Sequence, residues 1–96
     1  MAWSSSGWTI KPGVTFRVAF AWPYGEWVGA QFMQAKPLRY GLLGEYPNWH
    51  YPDQVMLFTF DQSIQFVRST GYWYFVSIRN YGPDETVYTI YGGGVT

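Results

Sequence analysis

Between residues 14 and 22 the chain alternates without a break. Val14, Phe16, Val18, Phe20 and Trp22 fall on one side, and Thr15, Arg17, Ala19 and Ala21 on the other. A period of two places successive side chains on opposite faces of an extended strand. No segment sustains the three- and four-residue apolar spacing of an amphipathic helix, and the best helix formers are scarce. Turn formers cut the chain at short intervals, at Pro12-Gly13, Pro23-Tyr24-Gly25, Gly71 and the cluster Asn80-Tyr81-Gly82-Pro83-Asp84. Strands are expected at 8–10, 14–22, 27–35, 38–43, 55–60, 64–68, 72–80 and 86–91. The pair 55–60 and 64–68 reads as a hairpin around Asp61-Gln62-Ser63, and Gly92-Gly93-Gly94 reads as the end of the last strand and a flexible tail. Gly29 reads as a bulge or a close backbone approach. Seven or eight short strands, with turn signals about every 8–12 residues, predict an all-β fold, an antiparallel β-sandwich; a small closed β-barrel is the alternative.

Ninety-six residues make one domain, 1–96, with room for a single core and little for an elaborate catalytic cleft. Six basic residues balance six acidic ones, and the arginines are spread singly, so no basic footprint for nucleic acid exists. Zero net charge beside many aromatics predicts self-association, most simply a two-fold dimer using Trp3, Trp8, Trp73 or Tyr91. The chain has no cysteine, which excludes disulfides and thiolate chemistry and leaves the compartment open. Residues 2–7 lack the basic start and apolar run of a signal peptide, and no stretch approaches the length of a transmembrane helix.

Two segments carry a resemblance. Ile10-Lys11-Pro12-Gly13-Val14-Thr15-Phe16-Arg17-Val18 resembles the opening of many Ig-like sandwich modules of bacterial surface and exported proteins. Tyr74-Phe75-Val76-Ser77-Ile78-Arg79-Asn80-Tyr81-Gly82, followed by Val87-Tyr88-Thr89-Ile90, is similar to their closing hairpin. The likeness implies an Ig-like sandwich; the compartment stays open, with an exported or cell-surface setting slightly favoured over a cytoplasmic one. Such modules adhere, bind carbohydrate or act as spacers. Residues 22–53 depart from the pattern through their aromatic density.

Aromatic residues make up 23% of the chain, more than a core of this size requires, and several sit on turn chemistry. Trp22 and Trp27 flank the Pro23-Tyr24-Gly25 turn. Asn48, Trp49, His50, Tyr51 and Asp53 lie in a Pro-bounded run. A pyranose packs its C–H face on an aromatic ring while its hydroxyls need directional donors and acceptors. These seven residues supply both halves and are the candidate carbohydrate site, with Glu26 and Gln31 as further polar partners. The alternative is that the same rings form the subunit interfaces of a self-assembling protein; they would also serve as caps on the core, and a third reading is a small toxin or effector meeting a lipid surface.

No catalytic residues are expected. One histidine and no cysteine leave at most a mixed site at His50 and Asp53, and no nucleophile elbow or paired-acid signature is visible. No metal or cofactor is expected either. The glycines at 92–94 have no helix after them to complete a phosphate site. The core is expected to include Phe16, Val18, Phe20, Phe58, Phe60, Phe66, Val76 and Ile78.

Overall fold

A computed structural model describes residues 2–38, 47 and 54–94. Seven strands occur among these residues: β1 (Ala2–Ser4), β2 (Trp8–Ile10), β3 (Thr15–Phe20), β4 (Gln31–Pro37), β5 (Leu57–Val67), β6 (Gly71–Asn80) and β7 (Thr86–Gly94). A short 3-10 turn, Pro23–Gly25, lies between β3 and β4. All pairings are antiparallel. In one sheet β7 is central, with β4 on one edge and β1 and β2 end to end on the other; in the second, β6 is central between β3 and β5. The sheets do not close on each other, so the fold is a sandwich and not a barrel. The chain crosses between sheets at every connection except β1–β2 and the β5–β6 hairpin.

The break between β1 and β2 is bridged by Ser5. Its N–H donates to Ile90 O at 2.8 Å, and its Oγ accepts from Ile90 N at 2.9 Å, so β7 keeps its ladder across the gap. The inner faces bury Ile10, Met33, Ala35, Tyr74, Val76, Ile78, Tyr88 and Ile90. Burial of these aliphatic and aromatic groups is the main favourable term in the fold.

One edge of the sandwich is closed by side chains. The outer edge of β4 faces β5, where the Gln62 amide accepts from Met33 N (3.3 Å) and donates to Met33 O (3.2 Å). Thr59 Oγ1 accepts from Ala35 N at 2.8 Å. These groups stand in for a neighbouring strand and leave that edge a poor template for pairing.

Several expectations are corrected here. The segments expected at 55–60 and 64–68 are one strand, β5, with a bulge at Asp61 and Gln62, not two strands around a turn. Asp61 adopts φ 57, and Arg17 holds it from across the sheet. The expected strand at 27–35 begins only at Gln31, and Gly29 lies before it with φ 86. The glycines at 92–94 are not a tail: they continue β7, all three pair with β4, and Gly92 and Gly93 also pair with β1. Gly92 lies under the indole of Trp3, where a Cβ would enter the ring. The strand expected at 38–43 falls outside the described residues except for Leu38.

Four of the eight expected core residues are exposed: Phe16 at 41%, Phe58 at 53%, Phe60 at 42% and Phe66 at 61%. Val76 and Ile78 are buried, and Val18 and Phe20 are half-buried against the core. The reason differs by strand. In β5 the register opposes Thr59 to buried Ile78, so Leu57 and Thr59 face inward and Phe58 and Phe60 outward, beside Arg79 and Ser77. The bulge then reverses the parity, and Phe66 shares the face of Tyr72, near the end of the hairpin. Phe16 faces inward on β3, but on the open side of the sandwich, where a cleft is lined by Trp8, Thr9, Phe16, Arg17, Val18 and Tyr88.

Candidate functional site

Nine of the aromatic residues form a continuous row of ring contacts. Ring contacts at 5.0 to 6.4 Å run from Tyr88 through Trp8, Phe20, Trp3, Trp22, Tyr74, Trp27 and Tyr72 to Phe66. Edge-to-face and offset geometries suit the ring quadrupoles and add to area burial. Tyr88, at one end, is buried, and burial pushes its phenol above the ordinary tyrosine range.

Trp22 and Trp27 part company within this row. Trp22 is half-buried, edge-on to Trp3 at 5.5 Å and to Tyr74 at 5.2 Å. It packs against the core, which makes it a poor platform for a ligand. Trp27 is 51% exposed. Its ring stacks on Tyr74, with centroids 5.9 Å apart and planes 22° apart, and leans on Tyr72 at 5.2 Å. Asn48, Trp49, His50, Tyr51 and Asp53 lie outside the described residues.

The Trp27 shelf is held rigidly. Tyr74 OH donates to Gly29 O at 2.7 Å and accepts from Val28 N at 3.2 Å, so the residues after Trp27 are tied to β6. The preceding turn docks onto the β5–β6 hairpin through backbone contact between Gly25 and Gly71. A Cβ on either would collide with the other's main chain, and both have positive φ. Tyr24, at φ 64, stands wholly exposed on this turn. Beyond Tyr74 runs a groove of about 290 Å³, lined in part by Ala30, Gln31, Gln62, Ser63 and Ile64. Gln31 is half-buried: its amide accepts from Trp3 Nε1 at 2.9 Å and donates to Val28 O at 3.0 Å. Glu26, beside Trp27 in sequence, is exposed.

A second cluster was not anticipated from the sequence. On the outer face of β3, β6 and β5, cross-strand register aligns Thr15, Arg79 and Phe58 in one row and Arg17, Ser77 and Phe60 in the next. Arg17 donates to Ser77 Oγ (2.9 Å), Ser63 Oγ (2.7 Å), and Asp61 O and Oδ2 (both 3.3 Å), and lies 5.1 Å from the Phe75 ring centroid. Arg79 donates from Nη1 to Thr15 Oγ1 at 3.0 Å and lies over the Tyr81 ring at 4.9 Å. Phe58 meets Tyr81 edge-on at 4.8 Å. Phe58, Phe60 and Tyr81 line a concavity of about 260 Å³. The signal was present as the alternation of Ser77, Arg79 and Tyr81 with Val76, Ile78 and Asn80.

Comparison with protein-family models, curated proteins and solved structures finds no match for this chain. Among the described residues, no three or more His, Cys, Asp or Glu side chains group where they would hold a metal ion. No helix among them is long and apolar enough to cross a membrane. The two surfaces offer aromatic faces, amide and hydroxyl groups, and guanidinium donors.

Proposed function

We propose that this domain is a non-catalytic recognition module that binds carbohydrate, with Trp27 as its stacking platform. The observation that carries the reading is the exposed indole of Trp27, fixed on Tyr72 and Tyr74 beside an open, partly polar groove. A ring already immobilised loses little entropy when a sugar packs on it. Glu26, exposed beside Trp27 in sequence, offers a carboxylate for hydroxyls; Gln62 and Ser63 are already engaged by Met33 and Arg17. Trp22 supports the site from beneath and does not touch ligand.

A glycan array, followed by calorimetry on any hit, tests the proposal. Trp27→Ala should abolish binding and leave the thermal transition within a few degrees of the parent, because half of the ring is already in water. Binding that survives Trp27→Ala refutes this site.

Self-assembly is the second reading, favoured by the outer face of the other sheet. There Phe32 and Tyr91 are exposed on either side of the bare backbone of Gly93, in a trough of about 360 Å³. Light scattering on the parent and on Phe32→Ser and Tyr91→Ser checks it: a monomer at tens of micromolar, in all three, removes it.

A further inference from the structure

We infer that the outer face of β3, β6 and β5 is a second binding surface, built for an anionic saccharide, with Arg79 supplying the charge and Phe58, Phe60 and Tyr81 the stacking surface. The inference starts from the unmet demand of Arg79. Its Nε is buried without a hydrogen-bond partner, and among the described residues its guanidinium has no carboxylate. The nearby acid, Asp61, is already engaged by Arg17. A partly desolvated cation without a counter-charge is unfavourable, and an anion beside the guanidinium supplies that charge without having to reach the buried Nε–H. Arg17 is different. Three of its four hydrogen bonds, to Asp61 and Ser63, fix the bulge of β5, and the fourth ties it to Ser77 on β6, so it is a positioning residue.

Next to Arg79 the surface is aromatic and concave. Phe58 and Tyr81 stand at 85° to each other, two walls of a hollow of about 260 Å³ that Phe60 completes. One wall offers a face for sugar C–H groups while the guanidinium, itself stacked on Tyr81, stays beside them. A uronate or sulfate on the same sugar then lies within reach of the charge.

Other occupants fit less well. A polybasic membrane site takes about 4–8 clustered Lys or Arg, and the whole chain has six, spread along its length. An extended peptide adds to a sheet edge, but this face is centred on β6, which pairs on both sides. A second copy stacked face to face about a two-fold axis near Arg79 would oppose like charges without supplying an acid.

The test measures affinity for matched pairs of probes: oligogalacturonate and its neutral methyl ester, and dextran sulfate and unsulfated dextran. The acidic form of at least one pair should bind, its affinity falling with added salt, and the neutral form should bind roughly tenfold more weakly or not at all. Preference for one acidic pair identifies the carboxylate or the sulfate as the anion. Arg79→Gln should lower the acidic affinity roughly tenfold or more. Arg79→Lys should recover part of it, since it restores the charge without the fork. Phe58→Ser should weaken it too. Trp27→Ala should leave it unchanged, which separates this surface from the first.

Amide and Arg Nε–H shifts of the unmutated protein give a readout independent of any variant. They should move at residues 15, 58, 60, 79 and 81. Shifts confined to other residues, equal affinity for acidic and neutral probes, or no binding at all overturn the inference. So do binding to phosphatidylserine vesicles without binding to any oligosaccharide, and a dimer dissociated by Phe58→Ser.

Discussion

Replacing Asn80 by alanine removes the polar lock that joins two turns to the core. Asn80 is fully buried at the end of β6. Its Nδ2 donates to Ile10 O at 3.0 Å and to Asp84 O at 2.8 Å, and its Oδ1 accepts from Gly82 N at 2.9 Å. Its main chain also bonds to the β2–β3 turn, accepting from Gly13 N and donating to Val14 O, and the substitution leaves those bonds in place. Three side-chain bonds at roughly 1 kcal/mol each set the loss at about 3 kcal/mol. Leaving the buried Gly82 N–H unsatisfied pushes it higher. In a domain of this size that lowers Tm by on the order of 15 °C. Urea denaturation followed by tryptophan fluorescence measures the change, with the parent slope retained. Asn80→Asp should lose at least as much, since it keeps an acceptor for Gly82 but turns an oxygen toward two carbonyls. A loss below about 1 kcal/mol for alanine would show that water replaces the amide and that the lock is not structural.

Gly92→Ala should destabilise by about 1–3 kcal/mol through overpacking against Trp3, and much of that loss should vanish when it is measured in a Trp3→Ala background. Burial raises the Tyr88 phenol above its ordinary value of 10.0, so its contribution is full below pH 10 and is lost as pH climbs through the folded value. Alkaline denaturation should therefore be shallower in Tyr88→Phe; an identical pH profile would assign the alkaline loss to other groups. Phe58→Ser should cost about 1 kcal/mol, mostly the edge-on contact with Tyr81, whereas Ile78→Ala should cost about 2–5 kcal/mol. Chemical denaturation of the two, side by side, checks the inward and outward assignment of β5 and β6.

Much of the fold was legible in the chain. Period-two alternation, the absence of a helical period and the placing of Pro and Gly led to an antiparallel sandwich, and β3 and β6 lie close to where they were expected. The Asn80-Tyr81-Gly82 pattern marked the turn that the Asn80 amide closes onto Gly82. Local backbone preference and turn chemistry act over a few residues, so they can be read from a few residues. The candidate site was less legible. Trp22 and Trp27 flank the same turn with similar chemistry, and only tertiary packing half-buries Trp22 against Trp3 and Tyr74 and leaves Trp27 exposed.

Alternation establishes which residues share a face, and tertiary structure decides which face is covered. At the start of β5 the residues Leu57, Phe58, Thr59 and Phe60, preceded by Met56, are apolar at nearly every position, so side-chain size favoured the wrong phase. Register against β6 placed Leu57 and Thr59 inward, where Thr59 caps the edge of β4, and left the larger Phe58 and Phe60 outside. The bulge at Asp61 reversed the phase again, held by contacts from Arg17, which is 44 residues away in sequence. The glycines at 92–94 belong to a strand because they pair with β1 and β4, and Gly92 leaves the space that the indole of Trp3 fills. Each of these outcomes depends on a partner distant in sequence, and short-range pattern carries no information about it.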